Sequence, residues 1–318
     1  MEKVLVALPV QERHIKKLEQ AGAGCEFTYV LPQQATEKQV AEANVIIGNV
    51  PAEWIRSSGN LRLLQLNSAG ADDYIKPGVL SEGTILTNAT GAYSKAVAEH
   101  AFALLLMLQK KLHLYRDAQK EGRWSDAGTV VSISDATVLV VGLGDIGLYF
   151  ARMAKALGAY VIGVKRRAGE RPNEVDELYT TEKLDELLPR ADVVASFLPG
   201  TGGTHHMYTI ERFEAMKPTA FFINCGRGGA VASQVLLEAL NRELIAGAGI
   251  DVTEVEPLSE DSPLWRLEKL VITPHVSGYY HLPETFERII DIAAENLSAF
   301  LAGRECRNVV DLQTGYKR

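Results

Sequence analysis

Residues 137–167, TVLVVGLGDIGLYFARMAKALGAYVIGVKRR, constrain the fold more than any other stretch of the chain. A β-branched run, Thr137 to Val141, meets Gly142, Gly144 and Gly147 in the spacing GxGxxG; a helical stretch and a second apolar run, Tyr160 to Val164, follow. Strand, glycine turn, helix, strand is the order of a dinucleotide-binding unit. Gly142 permits a tight turn out of the strand, Gly144 lets backbone approach a pyrophosphate, and Gly147 lets the helix lie close to the sheet. The helix N-terminus then offers free N–H groups and a partial positive charge to the phosphates. In a chain with 27 glycines the spacing alone says little; its βαβ setting gives it weight.

The end of the second strand carries cofactor choice. An NAD-selective site places an acidic residue there to accept from the ribose 2′-hydroxyl. Here the strand runs into Lys165, Arg166 and Arg167. Cations cannot accept that bond but would neutralise a 2′-phosphate, and arginine can grip it with a planar fork. NADP(H) is therefore favoured, with NAD(H) possible.

With 318 residues the chain is long enough for two domains, each with its own core. Its 33 basic and 40 acidic residues leave a net charge of −7, which argues against a nucleic-acid or anionic-membrane partner held by bulk charge. The N-terminal apolar run MEKVLVALPV reads as a first strand, not as a targeting segment. The apolar stretch Ala101 to Leu108 is far below the roughly 20 residues that span a bilayer. Cys25, Cys225 and Cys306 are far apart and odd in number, and read as reduced thiols of a cytoplasmic protein.

Ahead of the glycine motif, short apolar runs at 3–8, 27–30, 45–47, 63–66 and 84–86 alternate with helical or loop segments, which predicts a separate parallel α/β layer. Within it Asn67 to Ala71 follows a strand end, and its small residues expose N–H groups suited to a carboxylate. Residues 94–111 read as one helix, apolar enough to be buried between domains, with Glu99 and His100 as helix-end and packing residues. Past the motif, strands are expected at 193–198, 220–224, 248–252 and 270–273, and a closing helix at 283–300. The adjacent His205 and His206 lack the spacing of a metal pair on a helix and read as surface or cap residues.

Three of these later strands deliver a polar residue to the same edge: Arg227 after 220–224, Glu256 after 248–252 and His275 after 270–273. Carboxyl ends of neighbouring parallel strands face one crevice, so the three can converge beside a nicotinamide. Reduction of a 2-keto acid needs a cation on the carboxylate and carbonyl, and a proton donor for the oxygen. Arg227 suits the first task through its fork, and His275 the second because imidazole as a side-chain type can give or take a proton near neutral pH. Glu256 would orient the imidazole and favour its protonated form.

With these residues in place the chain resembles the D-isomer-specific 2-hydroxyacid dehydrogenases, the family of glyoxylate and hydroxypyruvate reductases, D-lactate dehydrogenases and phosphoglycerate dehydrogenases. The matching segments are NSAGAD at 67–72, AEH at 98–100, GLGDIG at 142–147, NCGRGG at 224–229, DVTEVEP at 251–257 and TPHVSG at 273–278, in family order. The resemblance implies two Rossmann-like or flavodoxin-like parallel-sheet α/β domains around an active-site cleft: a discontinuous substrate domain, 1–98 with 284–318, and a dinucleotide-binding domain, 99–283. It implies Arg227, Glu256 and His275 as the catalytic set. Ala69 and Gly70 would bind the substrate carboxylate, and Asp145 and Ile146 would meet the pyrophosphate. Leu198, Pro199, Cys225, Asp251, Ser277 and Gly278 would complete the nucleotide contacts, the last three near the carboxamide, in a homodimeric enzyme. Lys165 departs from the family's usual acidic residue. Glu256, where formate dehydrogenases of this fold carry glutamine, argues against formate oxidation, and the chain's end soon after the closing helix argues against a regulatory C-terminal domain. The competing reading is a nucleotide-sensing protein, similar to the corepressors that share the fold. Trp54, Tyr279 and Tyr280 hint at room for an apolar substituent on the substrate.

Overall fold

A computed structural model of the protein describes residues 1–313 and 315. The chain forms two compact units, Met1–Tyr93 with Tyr280–Arg318 and Ser94–Tyr279. In chain order the first unit contributes β1 (Lys3–Ala7), α1 (Glu12–Ala21), β2 (Glu26–Val30), α2 (Glu37–Glu42), β3 (Val45–Ile47), α3 (Ala52–Arg56), β4 (Leu63–Gln65) and β5 (Ile85–Thr87). The second contributes α4 (Ser94–Gln109), α5 (Leu112–Lys120), β6 (Thr137–Val141), α6 (Asp145–Ala156), β7 (Tyr160–Lys165), β8 (Glu177–Thr180), α7 (Leu184–Leu187), β9 (Val193–Ser196), α8 (Ile210–Ala215), β10 (Phe221–Asn224), α9 (Ser233–Asn241), β11 (Gly247–Ile250) and β12 (Leu270–Ile272). The chain returns to the first unit in α10 (Pro283–Leu301).

In the first unit five parallel strands lie in the order β2-β1-β3-β4-β5. Val4 to Ala7 and Val45 to Ile47 are buried on both faces, which is why these strands read as unbroken apolar runs rather than alternating ones. Helix α10 turns Phe286, Ile289, Ile290, Ala293 and Leu297 inward at helical spacing. It packs on α1, where Phe286 meets His14 edge-on at 5.0 Å and Arg13 pairs with Glu287 at 2.7 Å.

The second unit is a seven-stranded parallel sheet, β12-β11-β10-β9-β6-β7-β8. The order reverses direction between β6 and β9, the position where open α/β sheets leave a crevice at the strands' carboxyl ends. Residues Val138 to Val141, Val161 to Val164 and Val193 to Ser196 are buried, and Tyr208, Phe213 and Phe222 close the core with edge-on contacts from Phe222 to the other two rings at 4.8 and 5.3 Å. Helix α4 lays Leu104, Leu105 and Leu108 within the unit, against β10, β11 and α6. The expected single helix 94–111 also ends at Gln109, because Lys111 takes a left-handed φ of 57° and α5 starts afresh. Among the described residues no helix is long and apolar enough to cross a membrane.

Candidate active site

The glycine turn lies at the carboxyl end of β6, next to the strand-order reversal. Gly142 has φ +100°, a conformation side chains rarely adopt, and a β-carbon there would come within 2.8 Å of the Phe197 carbonyl oxygen. At Gly147 a β-carbon would overlap the Gly142 carbonyl, so α6 lies as close to the turn as glycine allows. Gly144 is the N-cap of α6 and makes no side-chain cap bond; a β-carbon added to it would meet nothing within 4 Å. The first turn of α6, Asp145 to Gly147, thus opens on clear space with amide groups a pyrophosphate could take, and the residues fit a dinucleotide. Lys165 closes β7, partly buried, with Arg166 and Arg167 exposed beyond it.

Three adjacent parallel strands, β10, β11 and β12, carry the expected catalytic residues past their carboxyl ends. His275 Nδ1–H donates to Glu256 Oε2 at 2.7 Å, and Glu256 Oε1 accepts from the Thr253 amide at 3.0 Å, so the carboxylate is oriented from both sides. The imidazole is about half exposed, 46%, and its Nε2 has no protein partner among the described residues. Arg227 lies two strands away in the sheet and is partly buried. Asn224 brackets its loop: the side-chain amide donates to the Arg227 carbonyl at 3.1 Å and the side-chain oxygen accepts from Gly226 N at 3.1 Å.

His275 has a left-handed backbone, φ 52°. A β-carbon-bearing residue stays in that region only where its surroundings dictate it. The source is Asp251, fully buried after β11: its backbone carbonyl accepts from His275 N at 2.7 Å, and its carboxylate accepts from Val276 N and Ser277 N at 3.0 Å each. Thr273 Oγ1 adds a donor at 2.6 Å and in turn meets His100 Nε2 at 2.9 Å. Asp251, expected beside a carboxamide, therefore has both carboxylate oxygens engaged by the histidine's own loop. His100, read as a packing residue, is the outer end of that chain of bonds. Neither role is visible in sequence because the partners are 22 to 173 residues apart. Burial and the Asp251 charge push the neighbouring Cys225 thiol well up, which leaves it protonated and inert.

In the first unit the 67–70 loop follows β4. Asn67 and Asn49 bond each other's backbone amides at 2.7 and 3.0 Å, and Ser68 Oγ donates to the Gly70 carbonyl at 2.6 Å. The Ala69 carbonyl accepts from Asn88 Nδ2 at 2.8 Å, while the Ala69 and Gly70 amides have no partner among the described residues. Tyr280 accepts from Asn67 Nδ2 at 2.6 Å, packs on Phe286, and is pushed up to about 12 by burial. It thus stays a neutral strut of the loop, and Trp54 packs against the unit's core.

Two parallel α/β units, one with a glycine turn at its switch point and an acid-backed imidazole near an arginine at the same sheet edge, define a dinucleotide-dependent oxidoreductase. Residues 102–277 match the family model described as D-isomer specific 2-hydroxyacid dehydrogenase, NAD binding domain. The chain is 32% identical over 279 residues to a glyoxylate reductase of Korarchaeum cryptofilum, a match covering 85% of this chain and 82% of that protein. Among solved structures it is similar to a D-isomer specific 2-hydroxyacid dehydrogenase family protein of Aeromonas salmonicida, with TM-score 0.86 and 31% identity over 98% of this chain and 99% of that one. An NADPH-dependent glyoxylate/hydroxypyruvate reductase of Sinorhizobium meliloti, solved with NADP and sulfate, gives TM-score 0.83 at 25% identity over 99% of this chain and 100% of that one. The chain belongs to the D-isomer specific 2-hydroxyacid dehydrogenase family and is an NAD(P)-dependent oxidoreductase.

Proposed function

We propose that the protein reduces a small 2-keto acid, glyoxylate, hydroxypyruvate or a close relative, to the D-2-hydroxy acid, with NADPH preferred to NADH. The observation that carries this is the 2.7 Å His275–Glu256 pair, set past the ends of β12 and β11 in the sheet whose next strand, β10, delivers Arg227. When bound, a nicotinamide cofactor supplies the hydride. Arg227 grips the substrate carboxylate with its fork and polarises the carbonyl, and the Ala69 and Gly70 amides are the first unit's donors for a carboxylate. His275 delivers the proton on Nε2 to the carbonyl oxygen, while Glu256 fixes the ring and balances its charge. In oxidation the same nitrogen takes the proton back.

The turn from Gly142 to Gly147 receives the pyrophosphate, and Lys165, Arg166 and Arg167 receive a 2′-phosphate. The Leu198–Pro199 and Cys225 segments, with Asp251, Ser277 and Gly278, line the rest of the nucleotide. We assign the protein to the cytoplasm as a homodimer without nucleic-acid or membrane partners. The test is absorbance loss from NADPH and NADH over a panel of 2-keto acids of increasing side-chain size. Turnover that is fastest on the two- and three-carbon acids is expected; no turnover on any would return the nucleotide-sensing alternative. Lys165→Asp with Arg166→Ala should move the kcat/KM ratio toward NADH by about tenfold or more, the size of one lost charge-assisted contact. An unchanged ratio removes the basic cluster from cofactor selection.

A further inference from the structure

Arg227 can hold a carboxylate only if its loop is held, and that loop contains no regular strand or α-helix. Asn224 secures one side of it. On the other side the Gly229 carbonyl accepts from His206 N at 2.8 Å and the Ala230 carbonyl from Tyr208 N at 3.0 Å. His206 is itself in the left-handed region, φ 50°, and its ring lies against His205 at a 33° tilt with centroids 3.8 Å apart. Its Nε2–H reaches Glu254 Oε1 at 2.7 Å. The other oxygen of Glu254 accepts from Ser233 N at 2.8 Å, the first residue of α9, which begins three residues after Ala230.

These bonds close a ring around the arginine's loop: Glu254 to His206, His206 to Gly229, along the chain to Ser233, and back to Glu254. The ring is also tight against backbone. A β-carbon at Gly228 would overlap the Thr253 carbonyl, so the turn beside Arg227 rests directly on the residue before Glu254. Glu254 in turn stands two residues ahead of Glu256, in the stretch whose Thr253 amide orients the Glu256 carboxylate. One short segment therefore carries the base-backing carboxylate and the anchor of the arginine loop.

We propose that Glu254 and His206 are positioning residues for Arg227, a second imidazole–carboxylate pair that registers the arginine loop to the Glu256 segment. The inference rests on Arg227 being the carboxylate-binding group of the proposed reaction. A misplacement of about 1 Å can cost on the order of 10²-fold in rate. A loop that is loosened rather than lost should cost about tenfold in kcat/KM, about 1.4 kcal/mol.

The experiment compares His206→Ala, His206→Gln and Arg227→Ala with the native enzyme, using NADPH and whichever of glyoxylate or hydroxypyruvate turns over faster. His206→Ala is expected to lower kcat/KM about tenfold, chiefly by raising KM, while NADPH affinity measured by fluorescence titration stays within about twofold. Glutamine can still donate to Glu254, so His206→Gln is expected to recover to within about threefold of native. A folded His206→Ala enzyme within twofold of native kcat/KM overturns the proposal. So does a loss that glutamine fails to rescue, or one matched by an equal loss of NADPH affinity, since either describes a purely structural role. If Arg227→Ala itself costs nothing, the proposed reaction falls instead, and the two failures are told apart.

Discussion

The protein builds two imidazole–carboxylate pairs from one four-residue stretch and ties them into the fold in different ways. His275 with Glu256 and His206 with Glu254 share the same bond length, 2.7 Å, and both histidines sit near φ +50°. They differ in what surrounds the pair. Glu254 gives its second oxygen to the first amide of α9, and the His206 ring lies against His205 at a 33° tilt, so that pair joins two segments of the chain. Glu256 gives its second oxygen to Thr253 within its own turn, and the His275 ring, hung from a loop tied to Asp251, leaves Nε2 for a ligand. The same chemical pair serves as a clamp where the carboxylate ties the histidine's loop to the start of a helix, and as an acid–base where the ring nitrogen facing away from the carboxylate is left for a ligand.

The strongest way to break this comparison is to delete each imidazole. His275→Ala should lower kcat by about 10³-fold, within the range of about 10²- to 10⁴-fold for a lost general acid–base, whereas His206→Ala costs about tenfold in kcat/KM, chiefly through KM. Equal losses in steady-state kinetics would mean that the second pair is also chemical. Next in size is Arg227→Lys, which keeps the charge but loses the planar fork. A drop of about 10²-fold in kcat/KM is expected, carried mostly by KM for the keto acid, because the two-point grip on the carboxylate is gone. A lysine enzyme with native KM would show that bulk charge suffices there. Smaller again is Glu256→Gln, which retains an acceptor for His275 Nδ1–H and removes the charge. We expect about a tenfold fall in kcat with KM for NADPH unchanged, measured near neutral pH.

Much of this could be read before any coordinates. The apolar runs of β6, β7, β9 and β10 announce a parallel sheet, and parallel strand ends place Arg227, Glu256 and His275 at one edge. Edge strand β8, Glu177–Thr180, escapes such reading because it is only half buried and is held by polar bonds, Tyr160 to Glu177 at 2.8 Å and Arg190 to Glu177. The break at Lys111 escapes too, since KKLHL continues a helical pattern and only the backbone turn ends α4. Within the site, the His206–Glu254 pair spans 48 residues and depends on a left-handed histidine, which no local signal marks. A carboxylate two residues ahead of Glu256 was the available hint, and alone it reads as a solvated charge.

The smallest effect separates the pairs by stability. The Ser233 amide and then His206 hold the Glu254 carboxyl below the usual carboxylate range. A carboxylate with a lowered pKa stabilises the fold fully above its unfolded value of about 4.3, and loses that contribution as pH falls toward the folded value. Glu254→Gln keeps an oxygen for Ser233 N but no charge at the helix N-terminus, a difference of about 0.3–1 kcal/mol. At pH 7 the variant should melt about 2 °C below native. Thermal unfolding repeated between pH 7 and pH 3 should show that deficit shrinking as native Glu254 takes up its proton. A deficit that grows on acidification, or that is absent at pH 7, would show that the Glu254 charge does not hold α9 and its preceding loop in place.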